Sequence, residues 1–279
     1  MASVITTVAG LDMHYEVVHP RAEKTLVLLH GFTGSTKTWQ HVIGQLGDDV
    51  RIFAIDLMGH GLTASPKALD HYTMEAQLEM LEQFFASRNL SSFTLLGYSM
   101  GGRTALAYAV THPERIEKLI LESASPGLED SLEREKRRGH DNYLAERILN
   151  EGMREFIDYW QSIPLFQSQS RLSDDMKAEV RAERLAQQEL GLANSLRGMG
   201  TGSQASYWDA LPAFPRPVSL ITGELDQKFC LKAIEMQKRF QNCSHHVANG
   251  CGHAIHVENP ELFVTIVEKE FYFTRRTFQ

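Results

Sequence analysis

The sequence predicts an α/β fold with a mostly parallel sheet, helices on both faces of that sheet, and a helical insertion. Short apolar runs that indicate buried strands alternate with longer amphipathic stretches that indicate helices. This alternation is typical of parallel sheets, because each crossover helix covers a face of the sheet. One predicted strand ends in a Gly-x-Ser-x-Gly turn that leads directly into a helix, which is the pattern of a nucleophile elbow. Together these observations predict the fold class and a candidate active site.

Apolar runs and helical patterns alternate along the chain. The predicted strands cover residues 25–29, 50–55, 93–96, 118–121, 218–222 and 245–248. Helices are predicted between them, for example over 72–88, where apolar residues recur near helical spacing. A last helix is predicted over 260–271, because Asn259 and Pro260 suit the N-cap and the first helical position.

The alternation stops between about residues 128 and 206. Helical patterning there covers 132–138, 144–157 and 174–188, and no run predicts a strand. We therefore predict a core over 1–127 and 207–279 and a helical cap over 128–206. Because the cap follows the strand after the elbow helix, we expect it to lie over the carboxyl ends of the strands, where open α/β sheets bind ligands.

Composition narrows the class of protein. The 279 residues carry a formal net charge of −7, which argues against the basic surface of a nucleic-acid-binding protein. The amino-terminal residues lack a signal-peptide pattern, and no run reaches the ~20 apolar residues of a membrane span. Cys230, Cys243 and Cys251 lack zinc-ligand spacing and cannot all pair, so we expect free thiols. We expect a cytoplasmic protein with no metal, no membrane span and no nucleic-acid partner.

Ser99 is the candidate nucleophile or base. It lies in Gly97-Tyr98-Ser99-Met100-Gly101, after an uncharged apolar run and before a helix-forming stretch. A serine on a sharp strand-to-helix turn needs small neighbours, which Gly97 and Gly101 supply. The alternative is a glycine-rich turn with a serine of no special reactivity, but the strand before it and the helix after it favour the elbow.

The serine hydroxyl needs a general base, and the base needs an orienting carboxylate. Asp226 follows the strand over 218–222 and a short turn, which places its carboxylate at the carboxyl edge of the sheet. Its competitors are Glu224 in the same turn and Asp209 before the strand. We favour Asp226; the alternative is an aspartate that only caps the turn.

The candidate base is His253, in the loop between the last predicted strand and the last predicted helix. His256 is its rival, and an ordinary loop histidine is the alternative. In enzymes with this elbow the chain order is serine, acid, histidine. Ser99, Asp226 and His253 follow that order.

Backbone amides are also needed, because a developing oxyanion is stabilised by N–H groups that point at it. The segment from His30 to Gly34 follows the first predicted strand. We predict the amides of Phe32 and Met100 as the donors, with a simple turn as the alternative.

Arg103 lies four residues after Ser99, where a cation opposes the helix dipole by up to about 1 kcal/mol. Its compensating anion could be a ligand or a structural carboxylate.

With these motifs in place, the chain resembles the α/β-hydrolase superfamily over nearly its whole length. More narrowly, it resembles the 2-succinyl-6-hydroxy-2,4-cyclohexadiene-1-carboxylate synthases of menaquinone biosynthesis. The general motifs support only the superfamily. The narrower resemblance rests on residues 97–103, 122–128, 133–137, 160–166 and 181–185. Met58 departs from the proline that many relatives carry in the loop that begins at Asp56.

The narrower resemblance implies a lyase that uses neither metal nor organic cofactor. The reaction would eliminate pyruvate from 2-succinyl-5-enolpyruvyl-6-hydroxy-3-cyclohexene-1-carboxylate. It implies a catalytic triad of Ser99, Asp226 and His253. It also implies three carboxylate-binding residues, which are Arg103, Arg137 and Arg184. The pocket-lining residues that it implies are Tyr98, Trp160 and Phe166. Guanidinium groups can bind carboxylates bidentately, which suits a polycarboxylate substrate.

Other interpretations remain open at this point. Arg137 and Arg184 could lie on solvated helix faces, and Trp160 and Phe166 could form the core of the cap. A serine hydrolase of an ester, thioester or carbon–carbon bond would use the same triad, and a non-catalytic receptor could share the fold. The cap arginines favour the lyase over an esterase for neutral acyl chains, and the complete Ser, Asp and His set argues against a receptor.

Overall fold

The computed structural model describes residues 1–272 of the chain. Within these residues, eight strands form one sheet of order β1-β2-β4-β3-β5-β6-β7-β8. The strands are Ala2–Val8 (β1), Leu11–Val18 (β2), Lys24–Leu29 (β3), Val50–Ile55 (β4), Phe93–Tyr98 (β5), Ile116–Glu122 (β6), Val218–Gly223 (β7) and Cys243–Ala248 (β8). Strands β3 to β8 are parallel to one another, whereas β2 is antiparallel to both β1 and β4. The predicted mostly parallel sheet is confirmed.

Helices cover the sheet and form the insertion. They are Gln40–Ile43 (α1), Met74–Ser87 (α2), Met100–Thr111 (α3), Ser131–Glu151 (α4), Met153–Ser162 (α5), Asp174–Leu185 (α6), Glu189–Met199 (α7), Gln227–Arg239 (α8), Ile255–Glu258 (α9) and Pro260–Tyr272 (α10). Short 3₁₀ segments include Thr36–Trp39, Pro164–Arg171 and Trp208–Ala213. No helix in the described part of the chain has both the length and the apolar character to cross a bilayer.

The sheet has an apolar core on each face. Alternate residues of β3 show this, since Val27 and Leu29 pack with α2, α3 and α8 while Leu26 and Leu28 pack with α1 and α10. Side chains on a strand point alternately to the two faces, so a strand covered on both sides becomes a continuous apolar run. This explains why β3 to β7 could be predicted, whereas β8 lies at the sheet edge and most of its side chains are half-buried. All six predicted strands lie within two residues of their observed bounds.

The hairpin of β1 and β2 was not predicted. Strand β1 lies at the edge of the sheet, and most of its side chains are exposed or half-buried. Its sequence therefore lacks the continuous apolar run that marks a buried strand. Ala9 and Gly10 make the turn, both with positive φ.

The insertion contains α4 to α7 and a small apolar cluster of its own, which includes Leu144, Phe156 and Leu192. The single helix predicted over 144–157 is wrong, because Gly152 has a φ of 88° and separates α4 from α5. The helix predicted over 132–138 is instead the first part of the 21-residue α4.

The last helix is fixed to the sheet by a buried carboxylate. Glu270 on α10 accepts hydrogen bonds from Lys118 of β6 and from Ser219 of β7, at 2.6 Å for Ser219, and its side chain contacts His246 of β8 at 2.7 Å. Burial alone would raise the pKa of Glu270, but these three partners outweigh it and lower the pKa to about 2. The carboxylate therefore stabilises the fold in its ionised form.

We expect this stabilisation to disappear in acid. The pKa of Glu270 is lower in the folded chain than its ordinary value of 4.5, so the contribution is present above that value and is lost as the pH falls towards 2. Chemical denaturation should therefore show that Glu270→Gln lowers the free energy of unfolding at pH 7, by an amount that shrinks between pH 5 and pH 3. A pH-independent difference would contradict this account.

Candidate active site

Ser99 lies on a strained turn between β5 and α3. Its φ is 50° and its ψ is −106°, values that a residue other than glycine rarely adopts. A Cβ atom at Gly97 would lie 2.3 Å from the Gly101 carbonyl oxygen, and one at Gly101 would lie 2.3 Å from the Leu29 carbonyl oxygen. Both positions therefore require glycine. The turn presents the Ser99 hydroxyl at the carboxyl edge of the sheet.

His253 lies between Ser99 and Asp226. Its Nε2 atom is 3.0 Å from Ser99 Oγ, and its Nδ1 atom is 2.6 Å from Asp226 Oδ2. Only 1% of His253 is exposed, so few other positions are open to its ring. Asp226 is itself held in place because its second oxygen caps α8 by accepting from the Phe229 amide at 3.3 Å. This is the geometry in which a carboxylate orients an imidazole towards a hydroxyl.

The rival residues make other contacts. Glu224 accepts a hydrogen bond from the Gly250 amide at 2.8 Å, and Asp209 is an exposed residue of a 3₁₀ segment. His256 is buried, and its Nδ1 atom lies 2.7 Å from the Glu122 carboxylate. The structure therefore brings together Ser99, His253 and Asp226 rather than these alternatives.

A cavity of about 540 Å³ opens beside Ser99. Its lining includes the predicted residues Phe32, Tyr98, Met100, Arg103, Arg137, Trp160, Phe166, Asp226 and His253. Three of these come from the insertion, since Arg137 lies on α4, Trp160 on α5 and Phe166 on the 3₁₀ segment that follows. The insertion therefore forms one wall of the cavity.

The loop that carries Phe32 packs closely against the elbow. The amide of Gly34 donates to the carbonyl of Gly31 at 3.0 Å, which closes a turn around Phe32. A Cβ atom at Gly31 would lie 2.5 Å from the ring of Tyr98, so this approach requires glycine. Phe32 and Met100 thus both border the space beside Ser99. Their role as oxyanion donors stays a prediction.

Arg103 is a cation without a carboxylate partner among the described residues. Its guanidinium donates to the Met199 carbonyl at 2.8 Å and to the Gln204 side-chain oxygen, which are both neutral acceptors. Burial, together with the nearby charge of Arg137, lowers the pKa of Arg103 to about 10. The guanidinium still remains charged at neutral pH. A buried charge of this kind favours binding of an anion.

Arg137 and Arg184 occupy different positions. Arg137 donates to Asp141 at 2.8 Å and lines the main cavity. Arg184 is buried against the ring of Phe166 and lines a smaller neighbouring cavity of about 40 Å³, which also borders Tyr98. Neither is a fully solvated surface residue, but the structure does not bring Arg184 to the wall of the main cavity. Its role in binding a carboxylate stays a prediction.

Two lysines of α8 were not predicted as site residues from the sequence. Lys228 and Lys232 line the cavity, and Lys232 pairs with Glu235 at 3.1 Å. A signal was present, because the two lysines are four residues apart at the start of a helix that follows Asp226. With Arg103 and Arg137, they give the cavity a positive lining.

Comparison with known proteins gives consistent results. Residues 24–260 match a family model described as alpha/beta hydrolase fold. A Bacillus subtilis (strain 168) protein, named as a candidate 2-succinyl-6-hydroxy-2,4-cyclohexadiene-1-carboxylate synthase, is 43% identical over 90% of this chain and 91% of its own length. The synthase of that name from Enterobacter sp. (strain 638) is 33% identical over 84% of this chain and 86% of its own length. The solved structure of MenH from S. aureus has a TM-score of 0.87 and 33% identity, and the match covers 92% of this chain and 97% of that one.

Proposed function

We propose a carbon–oxygen lyase activity for this chain, which belongs to the α/β-hydrolase family and, within it, to the 2-succinyl-6-hydroxy-2,4-cyclohexadiene-1-carboxylate synthases. The reaction is elimination of pyruvate from 2-succinyl-5-enolpyruvyl-6-hydroxy-3-cyclohexene-1-carboxylate, a step of menaquinone biosynthesis. The observation that supports it most is that the Ser99–His253–Asp226 contacts and two arginines face the same cavity. Cytoplasmic location and the absence of a nucleic-acid partner stay predictions.

The names of substrate and product define the bond changes. The substrate has its ring double bond at C3–C4 and the enolpyruvyl ether at C5, whereas the product has double bonds at C2–C3 and C4–C5. A proton therefore leaves C2, the ring double bond shifts, and the C5–O bond breaks. Because C2 is adjacent to the succinyl ketone, negative charge spreads onto that carbonyl oxygen. The enolpyruvate that leaves takes up a proton to become pyruvate.

The residues beside the cavity suit this proton transfer. His253, held by Asp226, draws the proton from the Ser99 hydroxyl, so that the serine oxygen can take the proton from C2. The imidazolium that results is stabilised by the Asp226 carboxylate, 2.6 Å away. His253 then has a proton to return to the leaving group. The amides of Phe32 and Met100 would donate to the succinyl carbonyl oxygen as its charge develops.

The positive lining suits the substrate, which carries three carboxylates. Arg103 and Arg137 offer planar donors that can bind a carboxylate at two points. Arg103 has neutral partners among the described residues, so a substrate carboxylate would compensate its charge. We assign residues 128–206 the role of a cap that closes the cavity over the substrate, because helices α4 and α5 supply Arg137 and Trp160.

The test is direct. Purified protein should release pyruvate from the named substrate in a lactate dehydrogenase-coupled assay, and Ser99→Ala should release far less. Efficient hydrolysis of neutral esters with no pyruvate released from the substrate would instead favour a serine hydrolase.

A further inference from the structure

We infer that Glu258 is a positioning residue that holds the His253 loop and connects it to the cap. This inference rests on the proposed role of His253, and it concerns a contact outside the triad. Glu258 is the last residue of α9 and is half-buried. It does not line the cavity.

The Glu258 carboxylate binds the backbone on both sides of His253. One oxygen accepts from the Gly252 amide at 2.7 Å, and the other accepts from the Ala254 amide at 3.4 Å. Hydrogen bonds to an ionised acceptor are stronger than neutral ones. Together the two contacts restrict the backbone of the residue whose ring must meet Ser99.

The same carboxylate also contacts the cap. Ser168, on the 3₁₀ segment Pro164–Arg171, donates its hydroxyl to Glu258 at 2.9 Å. The approach is close, because a Cβ atom at Gly252 would lie 2.0 Å from Ser168 Oγ. Phe166 of this segment lies with its ring centroid 6.1 Å from that of His253. One cap segment thus contacts both the imidazole and the residue that holds its backbone.

These contacts couple the position of the cap to the position of His253. When the segment is in place, Ser168 and the two amides share one carboxylate. A displaced segment would remove the Ser168 contact and leave Glu258 with only the loop. Misplacement of a catalytic group by about 1 Å can cost roughly a hundredfold in rate, so small shifts of this loop matter.

Labelling of Ser99 by a fluorophosphonate tests the inference without using the lyase substrate. The serine oxygen displaces fluoride from phosphorus and loses its proton, so the rate reports how well His253 is placed. Mass spectrometry should show that Glu258→Ala slows labelling by about ten- to a hundredfold. Glu258→Gln should be slowed less than Glu258→Ala, because its one amide oxygen can still accept from Gly252 while its NH₂ group cannot accept from Ala254.

Glu224→Ala is the matched control. Glu224 also accepts from an amide of this loop, that of Gly250, but that amide does not adjoin His253. The labelling rate of Glu224→Ala should equal that of the wild type. Ser168→Ala should slow labelling less than Glu258→Ala does, and the double variant should label at the Glu258→Ala rate, because the two residues act through one contact.

In the pyruvate assay, Glu258→Ala should lower kcat and leave KM close to its original value. Wild-type labelling rates in Glu258→Ala would overturn the inference. If Glu258→Ala does not fold, Glu258→Asp provides the test, because its shorter side chain cannot reach all three donors. An unchanged labelling rate in Glu258→Asp would also overturn the inference. If the wild-type protein is labelled normally but releases no pyruvate, the proposed lyase activity is wrong. The comparison of labelling rates among the variants would still test the role of Glu258.

Discussion

Replacing Ser99 or His253 by alanine is expected to lower kcat/KM for pyruvate release by about 10²- to 10⁴-fold, the range typical of a lost general base. The reason is the 3.0 Å contact between His253 Nε2 and Ser99 Oγ, through which we propose that the two groups act as one base. The double variant should therefore be little worse than either single variant. Steady-state kinetics with coupled detection of pyruvate gives all three values.

The control for this series is His140→Ala, at an exposed position on α4. It should leave both kinetics and melting temperature unchanged. If the losses in Ser99→Ala and His253→Ala multiplied in the double variant, the two residues would be acting independently, and the shared mechanism would be wrong.

Replacing Arg137 by alanine is expected to lower kcat/KM by about ten- to a hundredfold. The change would remove a charge-assisted hydrogen bond to a substrate carboxylate, worth about 1.5 to 3 kcal/mol. It would also leave the buried carboxylate of Asp141 without this partner, so the melting temperature must be measured alongside.

Arg147→Ala is the matched control for Arg137. Both arginines lie on α4 and pair with an acidic residue four positions later, but Arg147 pairs with Glu151 and does not line the cavity. We expect its kinetics to stay at the wild-type level. Equal losses in both variants would indicate a general effect of the cap charge, and no loss in Arg137→Ala would contradict its proposed contact with the substrate.

Features defined by a few neighbouring residues could be predicted from the sequence. The elbow around Ser99 is one, because Gly97 and Gly101 meet a steric requirement that local sequence alone reveals. The buried strands are another, because burial on both faces produces continuous apolar runs. Asp226 is favoured by its position after a predicted strand and turn, at the carboxyl edge of the sheet, and the structure brings Asp226 to the imidazole.

Features that depend on distant parts of the chain could not be predicted. Ser168 and Glu258 are 90 positions apart, and nothing in either segment indicates that they meet. Arg184 is predicted to bind a substrate carboxylate, but the packing of α6 places its guanidinium against the ring of Phe166. It lines the smaller cavity that also borders Tyr98. Strand β1 was missed because an edge strand with exposed side chains has little apolar pattern.

The central claim is that Ser99 acts as a base and does not form a covalent adduct. Rapid-quench mass spectrometry during turnover, with the substrate deuterated at C2, tests it most directly. We predict a primary isotope effect on pyruvate release and an enzyme mass that stays unmodified throughout the reaction. An adduct on Ser99 that forms and decays at the rate of turnover, with a burst of product, would contradict the claim and establish covalent catalysis.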